Sequence, residues 1–537
     1  MIGIARRVSP IFLCTWFFLM GIFVLFSIVP LGRMLIVALN SGSMFAIFSS
    51  TRQWFMLGRT LALSLWVALL AGLFGGAMGY LLGTTSWRGK TIIRVLLVLP
   101  LAIPPYFHAV GWTTVLRPNG VVVGFLSAIS GVNPAVFSET LYSFHGAVFI
   151  LVLSYFPIAM LFYEKALSLI SPSLEEAARV FGANPWQTFL AARWPFVWPA
   201  LVSSAMLTFL LATAELGVPT ILKVPVFNFE VFIQLGAFND VTAATLLVLP
   251  LLFVGFLVLY LERCSIAKHF VQADVRDVVQ AGEVSRSPSY FTRGILVLAA
   301  VVALGVPFAS VCIDGIHTDA MSSMLKLAWK PALNTLRYSV SASILITVFA
   351  FIFAFIMRRV PNILLRITDG ILITGFAVPG TILALSLLSL YDRPGISRWV
   401  TPVMLVVAAM SVRYLIVGYR IVAGAVAQIP DDIIDVALLD GASGLRSIWH
   451  IYLPLLRVAF LITLGISFVL TTGEIGATIL LYPPGGETLA ILLYSIEANS
   501  PHSYISALTL LQFLFLFVPL TAALLLYKGI AVSIRQK

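Results

Sequence analysis

The chain has 537 residues, of which 60% are hydrophobic and only 10% are charged, and its mean hydropathy is +1.04. A soluble domain is about half apolar and about one quarter charged, so the composition excludes a soluble globular protein and indicates an integral membrane protein. The formal net charge of +11 comes without a basic, aromatic-interleaved patch, so it indicates membrane topology and contact with anionic lipid, not nucleic acid. The three cysteines lie far apart and predict neither a disulfide framework nor a thiolate metal site.

Twelve segments are apolar over about 20 residues, the length that crosses the hydrocarbon core. The first follows two arginines, shows no small-residue cleavage site, and is interpreted as a retained membrane helix. With the N-terminus in the cytoplasm, the inside segments hold 22 of the 33 Lys and Arg residues and the outside loops hold 9, which fits the positive-inside rule. The segments centre on residues 11–33, 57–82, 92–114, 140–163, 197–218, 242–261, 294–313, 333–357, 367–390, 399–423, 457–480 and 504–530.

The two halves of the chain match each other in sequence. Pro104 matches Pro379 at an offset of 275 residues, and Glu215 matches Glu474 at an offset of 259. The difference between these offsets, 275 − 259, assigns about 16 extra residues to the first half, and the run at 117–140 is predicted to hold them as an outside loop. Six spans per copy is an even number, so the two copies share one orientation in the membrane.

The predicted fold is therefore an all-α integral membrane protein of about 12 transmembrane helices, arranged as two parallel six-helix repeats. The first repeat is predicted to cover residues 1–261 and the second residues 294–537. The polar segment 262–293 is predicted to connect them in the cytoplasm.

A short polar stretch occurs in the loop between the fourth and fifth spans of each repeat. It reads EEAARVFGA at 175–183 and DVALLDGA at 435–442. Each copy is predicted to form two short helices joined at a glycine, the second capped by Asn184 or Ser443 and running to a proline at the membrane. The glycines are Gly182 and Gly441, and the prolines, each 13 residues further on, are Pro195 and Pro454.

At these residues the chain resembles the permease subunits of ABC importers, whose signature is E-A-A-x-x-x-G, nine residues, then I-x-L-P. Ala192 and Trp194 replace the apolar Ile and Leu in the first copy, and Asp and Val replace Glu and the first Ala in the second. The residues assigned to the signature and its surroundings are Glu175, Glu176, Ala177, Ala178, Gly182 and Pro195 in the first copy and Asp435, Ala437, Gly441, Ile451, Leu453 and Pro454 in the second.

The fused twelve-span layout resembles the permeases of iron(III) and thiamine type importers over nearly the whole chain. The resemblance implies the type I ABC importer permease fold, a bacterial inner membrane, and both termini in the cytoplasm. It implies that loops 164–196 and 424–456 couple to two cytoplasmic ATP-binding subunits, which bind ATP and Mg, and that this chain holds no cofactor. It also implies an extracytoplasmic binding protein, and it favours ferric iron over thiamine, phosphonate, sugar phosphate or polyamine as substrate.

No catalytic motif accompanies these loops. The stretch GTTSWRGKT at 83–91 resembles a phosphate-binding loop, but five residues instead of four separate its glycines, and it joins two membrane helices instead of following a strand. The six histidines show no metal-ligand spacing. The chain is therefore predicted to be a non-catalytic transport subunit without a metal site.

Two carboxylates inside apolar segments are candidates for the translocation path. Glu215 and Glu474 lie late in the fifth span of each repeat, and a charge near mid-membrane costs about 2.5–3.5 kcal/mol, so it usually faces a bundle interior or a watery cavity. The alternative is that both carboxylates cap a structural hydrogen-bond network. Pro104 and Pro379 are expected to break the third and ninth spans and open backbone carbonyls to the path, with simple kinks as the alternative. Arg413, in the tenth span, is expected to pair with an acidic group.

An ion-coupled secondary transporter is the alternative function, because twelve spans in two parallel halves is also the plan of the major facilitator fold. The position of the repeated motif separates the two classes. Here the motif lies between spans four and five of each half, whereas the facilitator signature lies between spans two and three. The sequence therefore favours ATP-driven import.

Overall fold

The computed structural model of the chain describes residues 10–40, 50–118, 120–168, 170, 177–178, 180–238, 240–269, 287–316, 318–358, 360, 362–391, 400–441 and 444–535. Helices joined by turns make up these residues, and they contain no strand. Among the described helices, ten are long and apolar enough to cross a membrane, and three bent helix pairs raise the possible total to 13. Glu175, Glu176 and residues 270–286 of the predicted connector lie outside the described residues, so the predicted repeat boundaries stay a prediction.

The first half begins with a single long helix and continues with a bundle that contains two bent pairs. Its helices are α1 (Pro10–Asn40), α2 (Thr51–Gly83), α3 (Lys90–Ala102), α4 (Pro105–Val115), α5 (Val121–Ser130), α6 (Pro134–Leu141), α7 (Phe144–Ser168), α8 (Pro185–Thr188), α9 (Trp194–Ala214), α10 (Gly217–Ile221), α11 (Phe227–Gly236) and α12 (Val241–His269).

The second half repeats this order with one bent pair. Its helices are α13 (Tyr290–Ala300), α14 (Val306–Gly315), α15 (Thr318–Met357), α16 (Asn362–Ala377), α17 (Gly380–Tyr391), α18 (Pro402–Ala427), α19 (Asp431–Leu439), α20 (Gly444–Ser447), α21 (Leu453–Thr472), α22 (Thr478–Leu481), α23 (Leu489–Ile496) and α24 (His502–Arg535).

The all-α fold of two six-span repeats is confirmed. Each predicted apolar segment coincides with a long helix, except that the third and ninth spans are the bent pairs α3–α4 and α16–α17. In the seventh span a π-helical turn, Val301–Gly305, joins α13 and α14 into one helix, Tyr290–Gly315. Both pairs bend by 99°. The bends lie at Pro104 and Pro379, as predicted, because proline lacks the N–H that a helix needs and clashes with the preceding turn.

The predicted outside loop at 117–140 is wrong, because the chain there forms the helices α5 and α6, bent by 118° to each other. The apolar run from 121 to 130 is long enough for a short helix, which ends at Gly131 with a left-handed φ of +69°. Asn133 then caps α6, its side-chain oxygen accepting a hydrogen bond from the N–H of Ala135 at 3.0 Å.

The two halves pack their second and fourth spans in the same way. In the first half a Cβ on Gly75 of α2 would lie 2.9 Å from the Cβ of Ala159 on α7. In the second half Gly418 stands on α18 and faces Ala350 on α15 at 3.5 Å. Gly75 and Ala350 occupy equivalent positions, 275 residues apart, and so do Ala159 and Gly418, 259 residues apart. The glycine and the alanine therefore exchange helices between the repeats, and the close approach of the two helices is kept.

The first span of each half packs against the other half. On α1, the Trp16 indole donates to the Thr368 hydroxyl at 2.9 Å, and Arg33 donates to the carbonyl of Ser389 at 2.7 Å. On α14, the Ser310 hydroxyl donates to the carbonyl of Gly111 on α4 at 2.8 Å. These contacts interlock the halves and hold the bent pairs at the boundary between them.

The predicted helix ends at Pro195 and Pro454 are wrong, because each helix continues through the proline into the membrane. A π-helical turn precedes each proline, at Phe189–Arg193 and at Ile448–Tyr452. In these turns the N–H of the residue before the proline donates to the carbonyl five residues earlier. The wider turn shifts the hydrogen-bond register by one residue, so the helix continues without the N–H that proline lacks.

Candidate functional site

The fifth span ends at Ala214, before Glu215, and does not reach residue 218 as predicted. Glu215 has an extended backbone, with φ −74° and ψ 129°, and the short helix α10 follows. Its Oε1 accepts hydrogen bonds from the N–H groups of Gly217 at 3.0 Å and Val218 at 3.3 Å. The carboxylate therefore caps the first turn of α10, where backbone N–H groups have no partner within the helix.

The eleventh span breaks at the equivalent place. Helix α21 ends at Thr472, and Glu474 follows two residues later. The Oε1 of Glu474 accepts from the N–H of Ala477 at 2.9 Å, ahead of the short helix α22. Glutamate thus has the same capping role in both repeats.

A tyrosine from the fourth span of the same repeat binds each glutamate. Tyr155 donates its hydroxyl to Oε2 of Glu215 at 3.1 Å, and Tyr414 donates its hydroxyl to Oε2 of Glu474. The two tyrosines are 259 residues apart, as are the two glutamates. The repeat therefore duplicates a tyrosine–glutamate pair and not the carboxylate alone.

The two pairs differ in charge. Arg413 donates from Nη1 to Oε1 of Glu474 at 2.5 Å, and both side chains are buried, at 8% and 4% exposure. The expected partner of Arg413 is thus Glu474. Ser154 occupies the position equivalent to Arg413 in the first half, and it donates to its own helix, at the carbonyl of Ile150. Within the described residues Glu215 forms no direct ion pair and is only partly buried, although Arg413 is near enough to interact with its charge.

The bends at Pro104 and Pro379 lie against these centres. A Cβ on Gly473 would lie 2.7 Å from Cγ of Pro104, so the first-half bend touches the second-half break. A Cβ on Gly380, next to Pro379, would collide with Arg413 and with Glu474. The carbonyl of Pro104 accepts from the next helix at 3.0 Å, and that of Pro379 accepts at 3.0 and 3.1 Å. These two carbonyls begin the following helices.

Two small cavities adjoin Tyr106, just after the first-half bend. The first cavity, of about 10 Å³, is lined almost entirely by apolar atoms, from residues that include Tyr106, Gly217, Tyr494 and Glu497. The second cavity, also of about 10 Å³, lies between Ile103, Pro104, Tyr106 and Thr472 and the side chains of α24, which include Gln512. Both cavities include residues of each half, so they lie at the boundary between the repeats.

The two loops that the sequence predicts to be coupling loops lie at the far ends of α9 and α21. Gly182 and Gly441 have left-handed φ values of +82° and +77°, which supports the predicted glycine turns. In the first loop the N–H of Ala183 donates to the carbonyl of Ala178 at 3.0 Å, a bond that closes the end of a helix. Asn184 caps the next helix as predicted, accepting from the N–H of Gln187 at 2.8 Å.

Exposed apolar side chains surround both glycines. Val180 is 84% exposed, Phe181 90% and Leu439 87%. Of the predicted loop residues, Ala177, Asp435, Pro195 and Pro454 are exposed, and Ala178, Ala437, Ile451 and Leu453 are partly buried. Exposed apolar groups of this kind mark protein contact surfaces.

The family described as "Binding-protein-dependent transport system inner membrane component" matches the chain twice, at residues 75–263 and 346–536, which is more than two thirds of its length. The chain belongs to this family of binding-protein-dependent permeases. Its two matches make it a fused permease, with both copies of the permease domain in one polypeptide.

Individual permeases show where the similarity extends. A ferric transport system permease protein from Actinobacillus pleuropneumoniae is 26% identical over 448 residues, which are 79% of this chain and 64% of that protein. An Fe(3+)-transport system permease protein from Haemophilus influenzae is 24% identical over 90% of this chain and 89% of its own length. The molybdenum transport system permease protein of Escherichia coli is 30% identical over 29% of this chain and 67% of its own length.

Sequence reasoning missed several residues of this permease. Tyr155 and Tyr414 carry a usable signal, because they share the 259-residue offset of the glutamates. Tyr106 and Gln512 carry none. They are 406 residues apart, and only the packing of α24 against α4 brings them into hydrogen-bonding contact.

Proposed function

We propose that this chain is the membrane-spanning permease subunit of an ABC importer, with its coupling loops on two cytoplasmic ATP-binding subunits. The observation that carries the proposal is the double family match combined with two loops that expose apolar side chains around left-handed glycines. An exposed apolar loop end fits a groove on a soluble protein. The predicted residues Glu175, Glu176, Ala177, Ala178, Asp435 and Ala437 belong to this contact.

Ferric iron is the proposed substrate, delivered by an extracytoplasmic binding protein. The ferric permeases are similar over 79% and 90% of the chain, whereas the molybdenum permease is similar over 29%. Thiamine, phosphonate, sugar phosphate and polyamine remain the alternative substrates. The family match argues against the alternative class, an ion-coupled secondary transporter.

The same proposal makes the chain a non-catalytic subunit that holds no cofactor, with ATP and Mg bound by its partners. It places the chain in the bacterial inner membrane with both termini in the cytoplasm. Support comes from the excess of Lys and Arg in the inside segments, 22 of 33.

Glycine substitution tests the coupling loops. Gly182→Glu with Gly441→Glu should release the ATP-binding subunits or uncouple ATP hydrolysis from uptake, because a side chain is strained at φ near +80° and a new charge enters the contact. Gly131→Glu is the matched control, since Gly131 is also exposed with a left-handed φ of +69° but lies at the opposite end of the spans. Wild-type copurification and uptake in the double variant would reject the contact.

Reconstitution tests the energy source. Proteoliposomes that contain the chain, its ATP-binding subunits and its binding protein should accumulate ferric iron only when ATP is supplied, whatever the proton or sodium gradient. Uptake by the chain alone that a gradient drives and an ionophore abolishes would establish the secondary transporter.

A further inference from the structure

Helices α5 and α6, residues Val121–Ser130 and Pro134–Leu141, fill the extra length of the first repeat. The equivalent connection of the second repeat, residues 392–401, is too short to hold a helical pair of this size. The two helices have 10 and 8 residues, about 15 and 12 Å at 1.5 Å per residue, so neither crosses a hydrocarbon core of about 30 Å. The pair is as apolar as a membrane span, too short to be one, and bent by 118°, so the chain turns back.

The side chains that the pair exposes are mainly apolar. Phe125 is 65% exposed and Ile129 is 70% exposed, one turn apart on the same face of α5. Val122, Val132 and Val136 extend this exposed surface to either side. An exposed apolar surface of this kind indicates contact with another apolar phase or molecule.

The exposed hydroxyls of the pair are satisfied within their own helices. Ser130 donates to the carbonyl of Leu126 at 2.7 Å, and Thr140 donates to the carbonyl of Val136 at 2.7 Å. The Ser127 hydroxyl has no partner among the described residues, but it is buried and does not face the surface. Hydrocarbon offers no hydrogen-bond partner, so a lipid-facing segment has to satisfy its polar groups internally. The two exposed hydroxyls meet this requirement.

Both ends of the pair lie at the membrane surface opposite the predicted coupling loops. Arg117, four residues before α5, forms an ion pair of 3.0 Å with Asp314 at the end of the seventh span. The ring of Phe144, at the start of the α7 span, lies 6.0 Å from the guanidinium of Arg59 near the start of α2, where Trp54 is exposed. Charged and tryptophan side chains at the ends of spans mark the membrane–water interface. The pair therefore begins and ends at one surface of the membrane.

We propose that α5 and α6 form a re-entrant lipid anchor, whose exposed apolar side chains lie among the acyl chains of the leaflet opposite the predicted coupling loops. The lipid anchor enters and leaves the membrane at the same surface and does not cross it. It therefore adds no span, and the orientation of the two repeats is unchanged.

Lipid fits this surface better than a soluble partner does. A binding protein that docks and dissociates would leave Phe125 and Ile129 in water after each release, which is costly for a large apolar surface. Interfaces of transient complexes also carry a polar rim, whereas the stretch from 118 to 138 has no charged residue. Lipid acyl chains are present at all times and require no charge complementarity.

The lipid anchor acts on one of the two bent spans. Residues 116–120 join α4 directly to α5, so lipid around the pair restrains the end of α4. At the other end of α4, Pro104 lies against Gly473 of the second repeat. The first bend is therefore held by the second repeat on one side and by lipid on the other.

Spin labelling of the full chain in lipid vesicles tests the depth of the pair. Cys14, Cys264 and Cys312 are replaced by serine, and a nitroxide is attached to Phe125→Cys or to Ile129→Cys. The vesicles contain phosphatidylcholine and phosphatidylglycerol. Oxygen concentrates in hydrocarbon and nickel–EDDA stays in water, so the ratio of the nitroxide's accessibilities to the two reagents measures depth.

Two reference positions calibrate this ratio. Leu73→Cys is exposed in the middle of the α2 span, and Asn499→Cys is exposed on the loop after α23. Phe125→Cys and Ile129→Cys should both give an oxygen-to-nickel ratio within about twofold of Leu73→Cys and about tenfold above Asn499→Cys, because apolar oxygen partitions out of water.

The opposite results overturn the assignment. A ratio near that of Asn499→Cys at both positions would place the pair in water, and low access to both reagents would mean that a second copy of the chain covers it. Water-like ratios that change to low access when the binding protein is added would assign the surface to that protein. Ala128→Cys is a smaller change on the same exposed face and supplies the deciding ratio if the larger replacements disturb the fold. Neither ATP nor substrate enters the measurement, so its failure leaves the proposed function intact.

Discussion

The breaks after α9 and after α21 have the same plan, but within the described part of the chain only the second contains a direct ion pair. Each has a glutamate that caps a short helix and accepts a hydrogen bond from the hydroxyl of a tyrosine 60 residues earlier. In the second repeat Arg413 forms an ion pair with Glu474, and both side chains are buried. In the first repeat no arginine among the described residues contacts the glutamate, which keeps part of its exposure. Repeat symmetry of the backbone therefore does not extend to the ion pair.

The largest effect on stability is expected from breaking the buried Arg413–Glu474 ion pair. Arg413→Leu leaves Glu474 buried without its counter-charge and should lower the free energy of unfolding by about 3–5 kcal/mol. Ser154→Ala, at the equivalent position of the first repeat, should cost about 1 kcal/mol or less, because it removes only a hydrogen bond within one helix. Denaturant unfolding in detergent measures both.

A double variant sharpens this comparison. Arg413→Leu with Glu474→Leu removes both charges, and apolar replacement of a buried ion pair is often neutral in stability. It should recover most of the loss of the single variant. A double variant as unstable as Arg413→Leu alone would show that packing, not charge, accounts for the effect.

The tyrosines should show the same asymmetry at a smaller scale. Tyr414→Phe removes a hydrogen bond to a buried carboxylate and should cost about 1.5–3 kcal/mol. Tyr155→Phe should cost less than about 1 kcal/mol, because water can replace the hydroxyl at the partly exposed Glu215. Equal losses of melting temperature in the two variants would contradict the difference in burial between Glu215 and Glu474.

Substitution of Gly380 tests whether the buried Arg413–Glu474 ion pair depends on close packing. Gly380→Ala brings a methyl group against Arg413 and Glu474 and should cost about 1–3 kcal/mol. Gly476→Ala is the control within the same centre, since its Cβ would meet its nearest atoms at 3.4 Å, an ordinary contact. If Gly476→Ala lowers the melting temperature as much as Gly380→Ala does, the loss of stability does not come from the contact of the new methyl group with Arg413 and Glu474.

The sequence predicted those features that depend on local composition. Hydropathy located the spans, and the prolines located the 99° bends at Pro104 and Pro379. The helices α5 and α6 were missed because a short apolar run next to polar residues is equally typical of a loop and of a re-entrant pair. The helix through Pro195 was missed because a π-turn is a change of hydrogen-bond register and leaves no mark in the composition.

The candidate site was predictable only in part. The duplication identified Glu215 and Glu474, and the cost of a buried charge indicated that Arg413 needs an acidic partner. Which glutamate Arg413 reaches depends on how α18 and α21 pack, and that is a tertiary property. The partner of Tyr106 is equally invisible, because α24 is in the other half of the chain.

The helical continuity through the π-turns has a mechanical consequence. Trp186–Ala214 is one helix of 29 residues, about 44 Å at 1.5 Å per residue, and Ile448–Thr472, of 25 residues, is about 38 Å. Each is a rigid rod with a loop glycine near one end and a glutamate just beyond the other. A tilt of about 5° at the loop end moves the far end of the longer rod by about 4 Å. Tyr155 lies on a different helix, so a shift of this size would break its 3.1 Å hydrogen bond to Glu215. The bond can therefore form at only one tilt of the longer helix.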